Sequence, residues 1–138
     1  MAARDIFHAS VKHGLTKLGW TITADPLVIQ FGDISLYIDL GAEKLLAAEK
    51  DDQRIAVEIK SFLGPSVLSE YHTALGQFLN YRLALSVHDP ERILYLAIPV
   101  DTYESFFTLP FTQASVSQHK IPLLVYHPEA KEIVQWTS

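Results

Sequence analysis

Apolar residues recur along this chain in two rhythms, and the changes from one to the other set out an order of elements. Phe7, Val11, Leu15 and Leu18 follow spacings of four, four and three, which puts them on one stripe of an amphipathic helix from Asp5 to Leu18. Gly19 ends that helix. Trp20 to Thr23 alternates as a short strand, Asp25-Pro26 breaks it, and Leu27 to Phe31 resumes an extended run before a turn at Gly32-Asp33. From Ile34 to Leu40 the alternation is clean, with Ile34, Leu36, Ile38 and Leu40 on one face and Ser35, Tyr37 and Asp39 on the other, the pattern of a half-buried strand. Glu43 to Lys50 and Arg54 to Lys60 flank the polar Asp51-Asp52-Gln53, which suits a hairpin turn. These three runs read as a meander.

The second half changes period. Gly64-Pro65 marks a loop, and Ser66 is placed to cap a long helix running to Ser86 with Tyr71, Leu75, Phe78 and Leu85 inward. His88-Asp89-Pro90 stops it. Ile93 to Pro99 is a nearly unbroken apolar run, as expected of a central strand covered on both faces and, arriving after a helix, parallel to an earlier one. Asp101 and Glu104 have capping-box spacing, so a short helix is expected there, limited by Pro110. Pro122 to Tyr126 and Ile133 to Trp136 supply two final strands. The order is helix, several strands, long helix, strand, small helix and two strands, an α/β arrangement around a mixed sheet. No repeat or linker divides it, and a single domain over residues 1–138 is expected.

Composition narrows the chemistry. The chain is 49% hydrophobic and 20% charged, too apolar for disorder and too interrupted for a membrane span. The start, Met1-Ala2-Ala3-Arg4-Asp5, lacks the pattern of a secretory signal. A soluble, cytoplasmic protein with no membrane association is expected. There are no cysteines, which excludes disulfides, zinc-thiolate sites and thiol nucleophiles. The formal net charge of −5 argues against binding nucleic acid by broad electrostatic attraction. A bound divalent cation would itself supply positive charge at a phosphate.

Period-two geometry sets Arg54, Ala56, Glu58 and Lys60 on one face of their strand, opposite Ile55, Val57 and Ile59. Glu58 and Lys60 therefore project together. A carboxylate that binds Mg²⁺ or Mn²⁺, beside an ammonium that orients water and offsets developing charge, suits phosphodiester hydrolysis. A second carboxylate would complete the metal site. A hairpin centred between Asp51 and Asp52 sets Leu45 opposite Glu58 and Glu43 opposite Lys60, so Glu43 is one candidate. Asp39 is the other, if the chain bends inward at Gly41. The pattern leaves both open. On the long helix Gln77 and Tyr81 are four apart and share a face. The six histidines show no pair at metal-ligand spacing, and Lys12, Lys17 and Arg82 are available for phosphate or for a solvated surface. No Gly-x-Ser-x-Gly element is present to support a serine hydrolase.

The strand, the hairpin and Glu58-Ile59-Lys60, followed by a long helix and a buried strand, resemble the α-β-β-β-α-β, restriction endonuclease-like core of the PD-(D/E)xK nuclease superfamily. Gln77 and Tyr81 match the QxxxY element that several of its branches carry. The first acid of that superfamily usually follows Pro, which neither Asp39 nor Glu43 does. Three further stretches, Tyr37 to Lys44, Ala56 to Phe62 and Ala74 to Gln77, resemble XisH-type proteins, and the likeness runs from Arg4 to Trp136. That resemblance implies an accessory role in excising a DNA element during cyanobacterial cell differentiation. DNA and a small XisI-like protein are the implied partners, and homo-oligomerisation is compatible with them. The expected site is Asp39, Glu43 and Glu58 for metal, those acids with Lys60 for catalysis, and Gln77 and Tyr81 for substrate. The rival expectation is a nuclease fold kept as a scaffold for a protein partner.

Overall fold

The computed structural model describes residues 3–36 and 45–137. Helix α1 (Ala3–Lys17) leads into β1 (Thr21–Ala24), a small hairpin of β2 (Ile29–Phe31) and β3 (Ile34–Leu36), and then β4 (Leu45–Lys50) and β5 (Gln53–Ile59). Helix α2 (Val67–His88) crosses to β6 (Ile93–Pro99). A short α3 (Val100–Thr102) runs into a π-helical turn at Tyr103–Phe107, and α4 (Pro110–His119), β7 (Leu123–His127) and β8 (Glu132–Trp136) follow. Six strands form one mixed sheet in the order β1-β4-β5-β6-β7-β8. The β5–β6 and β6–β7 pairs are parallel and the others antiparallel.

Alternation along the central strands divides the core into two layers. Ile55, Val57, Ile59, Ala97, Leu124 and Tyr126 pack with Val11 and Leu15 of α1. Ala56, Leu94, Leu96, Ile98, Leu123 and Val125 pack with Tyr71, Ala74, Phe78 and Tyr81 of α2. Each fully buried large side chain contributes about 2 kcal/mol through surface removed from water, and these two faces hold most of the apolar burial. The side chains at 56, 58 and 60 thus share the α2 side of the sheet.

Local chemistry accounts for the element ends. Gly19 takes a φ of +94° just past α1, a conformation that a side chain disfavours. The Ser66 hydroxyl accepts from the Ser69 amide at 3.1 Å as the N-cap of α2, a contact worth about 1 kcal/mol. Asp89 caps the other end and is held by Arg54 at 2.6 Å and Arg92 at 3.0 Å, which ties the end of α2 to the start of β5.

Several expectations are corrected. The described part of the Ile34 run pairs with β2 in a separate two-stranded sheet, and β4 takes β1 as its outer neighbour, so among the described residues the three runs are not paired as a meander. Ile34 is 62% exposed, whereas Ile29 of the same hairpin is buried in the α2-side core. Leu18 is 41% exposed, since α1 has already ended at Lys17. The α3 segment starts at Val100 with no side-chain cap, so Asp101 and Glu104 form no capping box. Pro110 does not merely end a helix: it begins α4, where its missing N–H would have had no partner anyway. No helix among the described residues is long and apolar enough to cross a membrane.

Candidate functional site

Glu58 and Lys60 sit at the end of β5, under the middle of α2. The pairing puts Leu45 opposite Glu58 on one side and Leu96 opposite it on the other, so Glu58 is central in the sheet. The hairpin register expected from the Asp51-Asp52 turn is the register observed. Glu58 is 0% exposed and Lys60 9%. Two bonds fix the Lys60 peptide: its amide donates to the Ala97 carbonyl at 3.0 Å, and its carbonyl accepts from the Tyr126 hydroxyl at 3.0 Å.

The Lys60 side chain bridges strand and helix. Its Nζ lies 3.6 Å from Glu58 Oε2 and donates to Gln77 Oε1 at 2.5 Å. A buried ammonium needs such partners, because desolvation without them is far costlier than the attraction lost. Tyr81 follows one helical turn after Gln77 and is 4% exposed. Its hydroxyl pKa is pushed up to about 12, chiefly by burial and then by the negative charge of Glu58. The field of the Glu58 carboxylate therefore reaches Tyr81. Glu58, Lys60, Gln77 and Tyr81 are thus brought together from two elements, as their spacing suggests.

Asp39 and Glu43 lie outside the described residues. Among the described residues no group of three or more His, Asp or Glu side chains converges as a cation site. Glu58 offers hard oxygen donors suited to Mg²⁺ or Mn²⁺, and a divalent site here would have to draw further oxygen ligands from elsewhere, Asp39 or Glu43 being the candidates.

The segment after Lys60 is held by residues that sequence reasoning missed. Phe62 has a left-handed φ of 55° and sets its ring edge-on to Phe107 at 5.7 Å. The Gly64 amide donates to Glu70 Oε2 at 2.7 Å, and a Cβ at Gly64 would stand 2.7 Å from that same oxygen. Tyr126 was hidden in an apolar strand, where a tyrosine reads as core. Only its buried hydroxyl, which needs a polar partner, hinted at a further role.

The other cationic candidates have structural partners. Lys12 Nζ lies 2.8 Å from Asp25 Oδ2, which His8 also contacts at 3.0 Å. Burial works to raise the Asp25 pKa, but the hydrogen bonds from Lys12 and His8 together leave it lowered. Lys17 pairs with Glu132 at 3.6 Å, and Arg82 donates to the Lys120 carbonyl at 3.0 Å while lying over the Phe78 ring.

Comparison with known proteins gives a consistent result. The family model described as XisH protein matches residues 1–134. The chain is similar to the crystal structure of an XisH family protein from Nostoc punctiforme PCC 73102, with 48% identity and a TM-score of 0.90 over 97% of this chain and 100% of that one. It is equally similar to an fdxN element excision controlling factor protein from Anabaena variabilis, with 49% identity and a TM-score of 0.89 over 97% of this chain and 99% of that one. Among curated proteins no significant match is found. The chain belongs to the XisH family.

Proposed function

We propose that this protein is a metal-dependent, nuclease-like accessory factor for programmed excision of a DNA element, built on the PD-(D/E)xK, restriction endonuclease-like core. The observation that carries this reading is the Lys60 ammonium set between the Glu58 carboxylate and Gln77 at the end of a central strand. Glu58, with Asp39 or Glu43, would hold Mg²⁺ or Mn²⁺. When bound, such a cation polarises a phosphoryl oxygen and lowers the pKa of water. Lys60 orients the attacking water and offsets the negative charge that develops on the phosphate. Gln77 holds the ammonium in place, and Gln77 and Tyr81 together form the helix-side wall against which substrate would rest. Membership of the XisH family and a relative named for control of element excision support a role in excision with DNA as the substrate; an acidic chain of this kind would need a partner, an XisI-like protein in this reading, to bring it to DNA.

The test is cleavage of single- and double-stranded DNA with Mg²⁺ or Mn²⁺ by wild type and by Lys60→Ala, with folding verified by circular dichroism. Loss of a charge-stabilising group of this kind lowers the rate by ~100-fold or more. Cleavage that survives the substitution contradicts the proposal.

The alternative reading is a catalytically inactive scaffold that acts through its protein partner. Two observations favour it: Glu58 is fully buried, and the net charge is −5, which opposes unaided DNA binding. Cleavage by no preparation, together with tight capture of the protein partner, would select it.

A further inference from the structure

A second site lies two strands away. Glu58 pairs with Leu96, and Leu96 pairs with Leu123, so Leu123 is about 10 Å across the sheet from Glu58 by strand spacing. Leu123 contributes to a cavity of about 650 Å³ between the π-helical turn, α4 and the last residues of the chain. That volume suits a small organic ligand. Phe107, Val116, Ile121 and Leu123 make its wall apolar, and Lys120 is its one charged lining residue among those described.

The polar side chains on this wall are those of Tyr103, Gln113, Ser117, Lys120 and Thr137, none of them a carboxylate. The Tyr103 hydroxyl accepts from Gln135 Nε2 at 3.2 Å, and the Thr137 hydroxyl accepts from the Leu123 amide at 3.0 Å. Neither bond uses the hydroxyl proton, so both groups retain a donor. Lys120 adds an ammonium, and its backbone is held in a left-handed φ of 51° while its carbonyl accepts from Arg82. In a chain of net charge −5, a cavity whose described lining offers one cation, the hydroxyls of Tyr103, Ser117 and Thr137, the Gln113 amide and no carboxylate is complementary to negative charge. We infer that it binds a small organic anion, with an apolar body against Phe107 and Leu123 and its anionic group toward Lys120, Tyr103 and Thr137.

The experiment is a fluorescence titration of the full chain with 8-anilinonaphthalene-1-sulfonate, an apolar dye carrying one anionic group, and with the uncharged N-phenyl-1-naphthylamine. Wild type should bind one equivalent of the anionic dye. Lys120→Asn, chosen because Asn tolerates a left-handed backbone, should weaken the anionic dye about fivefold, the scale of a partly exposed charge contact, and leave the neutral dye unchanged. Ser117→Trp, at an exposed lining position, should abolish both. Lys60→Ala should change neither, which separates this site from the proposed nuclease site. Displacement by benzoate or by thymidine monophosphate then distinguishes a carboxylate from a phosphate ligand. No binding by wild type, equal weakening of both dyes by Lys120→Asn, binding unaffected by Ser117→Trp, or displacement by neither competitor would each overturn the inference.

Discussion

The Tyr126 hydroxyl donates to the Lys60 carbonyl at 3.0 Å, so the residue that carries the ammonium toward α2 is anchored from the opposite, α1 side of the sheet. Tyr126 is fully buried, with its ring edge-on to Phe7. Its polar tip therefore has a fixed place. Removal of the hydroxyl in Tyr126→Phe takes a bond from the Lys60 carbonyl and should cost about 1 kcal/mol. Urea denaturation should show a lower midpoint with an unchanged slope. An unchanged midpoint would mean that the bond contributes nothing.

Tyr81 is expected to respond to the charge on Glu58. Because burial first and the Glu58 carboxylate second raise its pKa to about 12, the folded protein holds that proton more tightly than the unfolded chain does. Stability from this group is complete below the ordinary value of 10.0 and falls as pH rises toward about 12. Glu58→Gln should lower the Tyr81 pKa while leaving it above the ordinary value, since burial remains. Site-resolved NMR titration of the tyrosine ring carbons checks this; a Tyr81 pKa unmoved by Glu58→Gln would separate the two groups.

At the other end of α2, Asp89 has a lowered pKa, first because Arg54 donates to it and also because Arg92 does, against the opposing effect of burial. A carboxylate of this kind adds stability above its unfolded value of 3.8, and that stability is lost as pH falls through the lower folded value. Asp89→Asn should therefore flatten the acid limb of the stability profile. Denaturation series from neutral to strongly acidic pH would show it, and an acid limb as steep as that of wild type would contradict it.

The legible parts of this structure were those set by short-range period and spacing. Alternation from Arg54 to Lys60 put Glu58 and Lys60 on one face, and the Asp51-Asp52 turn gave the Leu45–Glu58 register, because a two-fold side-chain repeat and a tight turn leave little freedom. The four-residue spacing of Gln77 and Tyr81 likewise identified a shared helical face. Illegible were the choices made by tertiary packing. Ile34 alternates like a core strand, yet β4 pairs with β1 instead, a competition that no local pattern decides. Pro110 carries both a stop and a start meaning, and the start prevailed. Tyr126 reaches Lys60 over a separation of 66 residues, which no spacing rule reveals.

In the proposed function Glu58 helps to hold a divalent cation beside Lys60. Calorimetric titration of Mn²⁺ into wild type and Glu58→Gln tests it most directly, because it needs no substrate and no partner. The expected result is saturable binding by wild type that weakens about tenfold or more in Glu58→Gln, in line with a lost carboxylate ligand on a hard cation. Folded wild type that takes up no Mn²⁺, or binds it as tightly without the Glu58 carboxylate, would contradict the account.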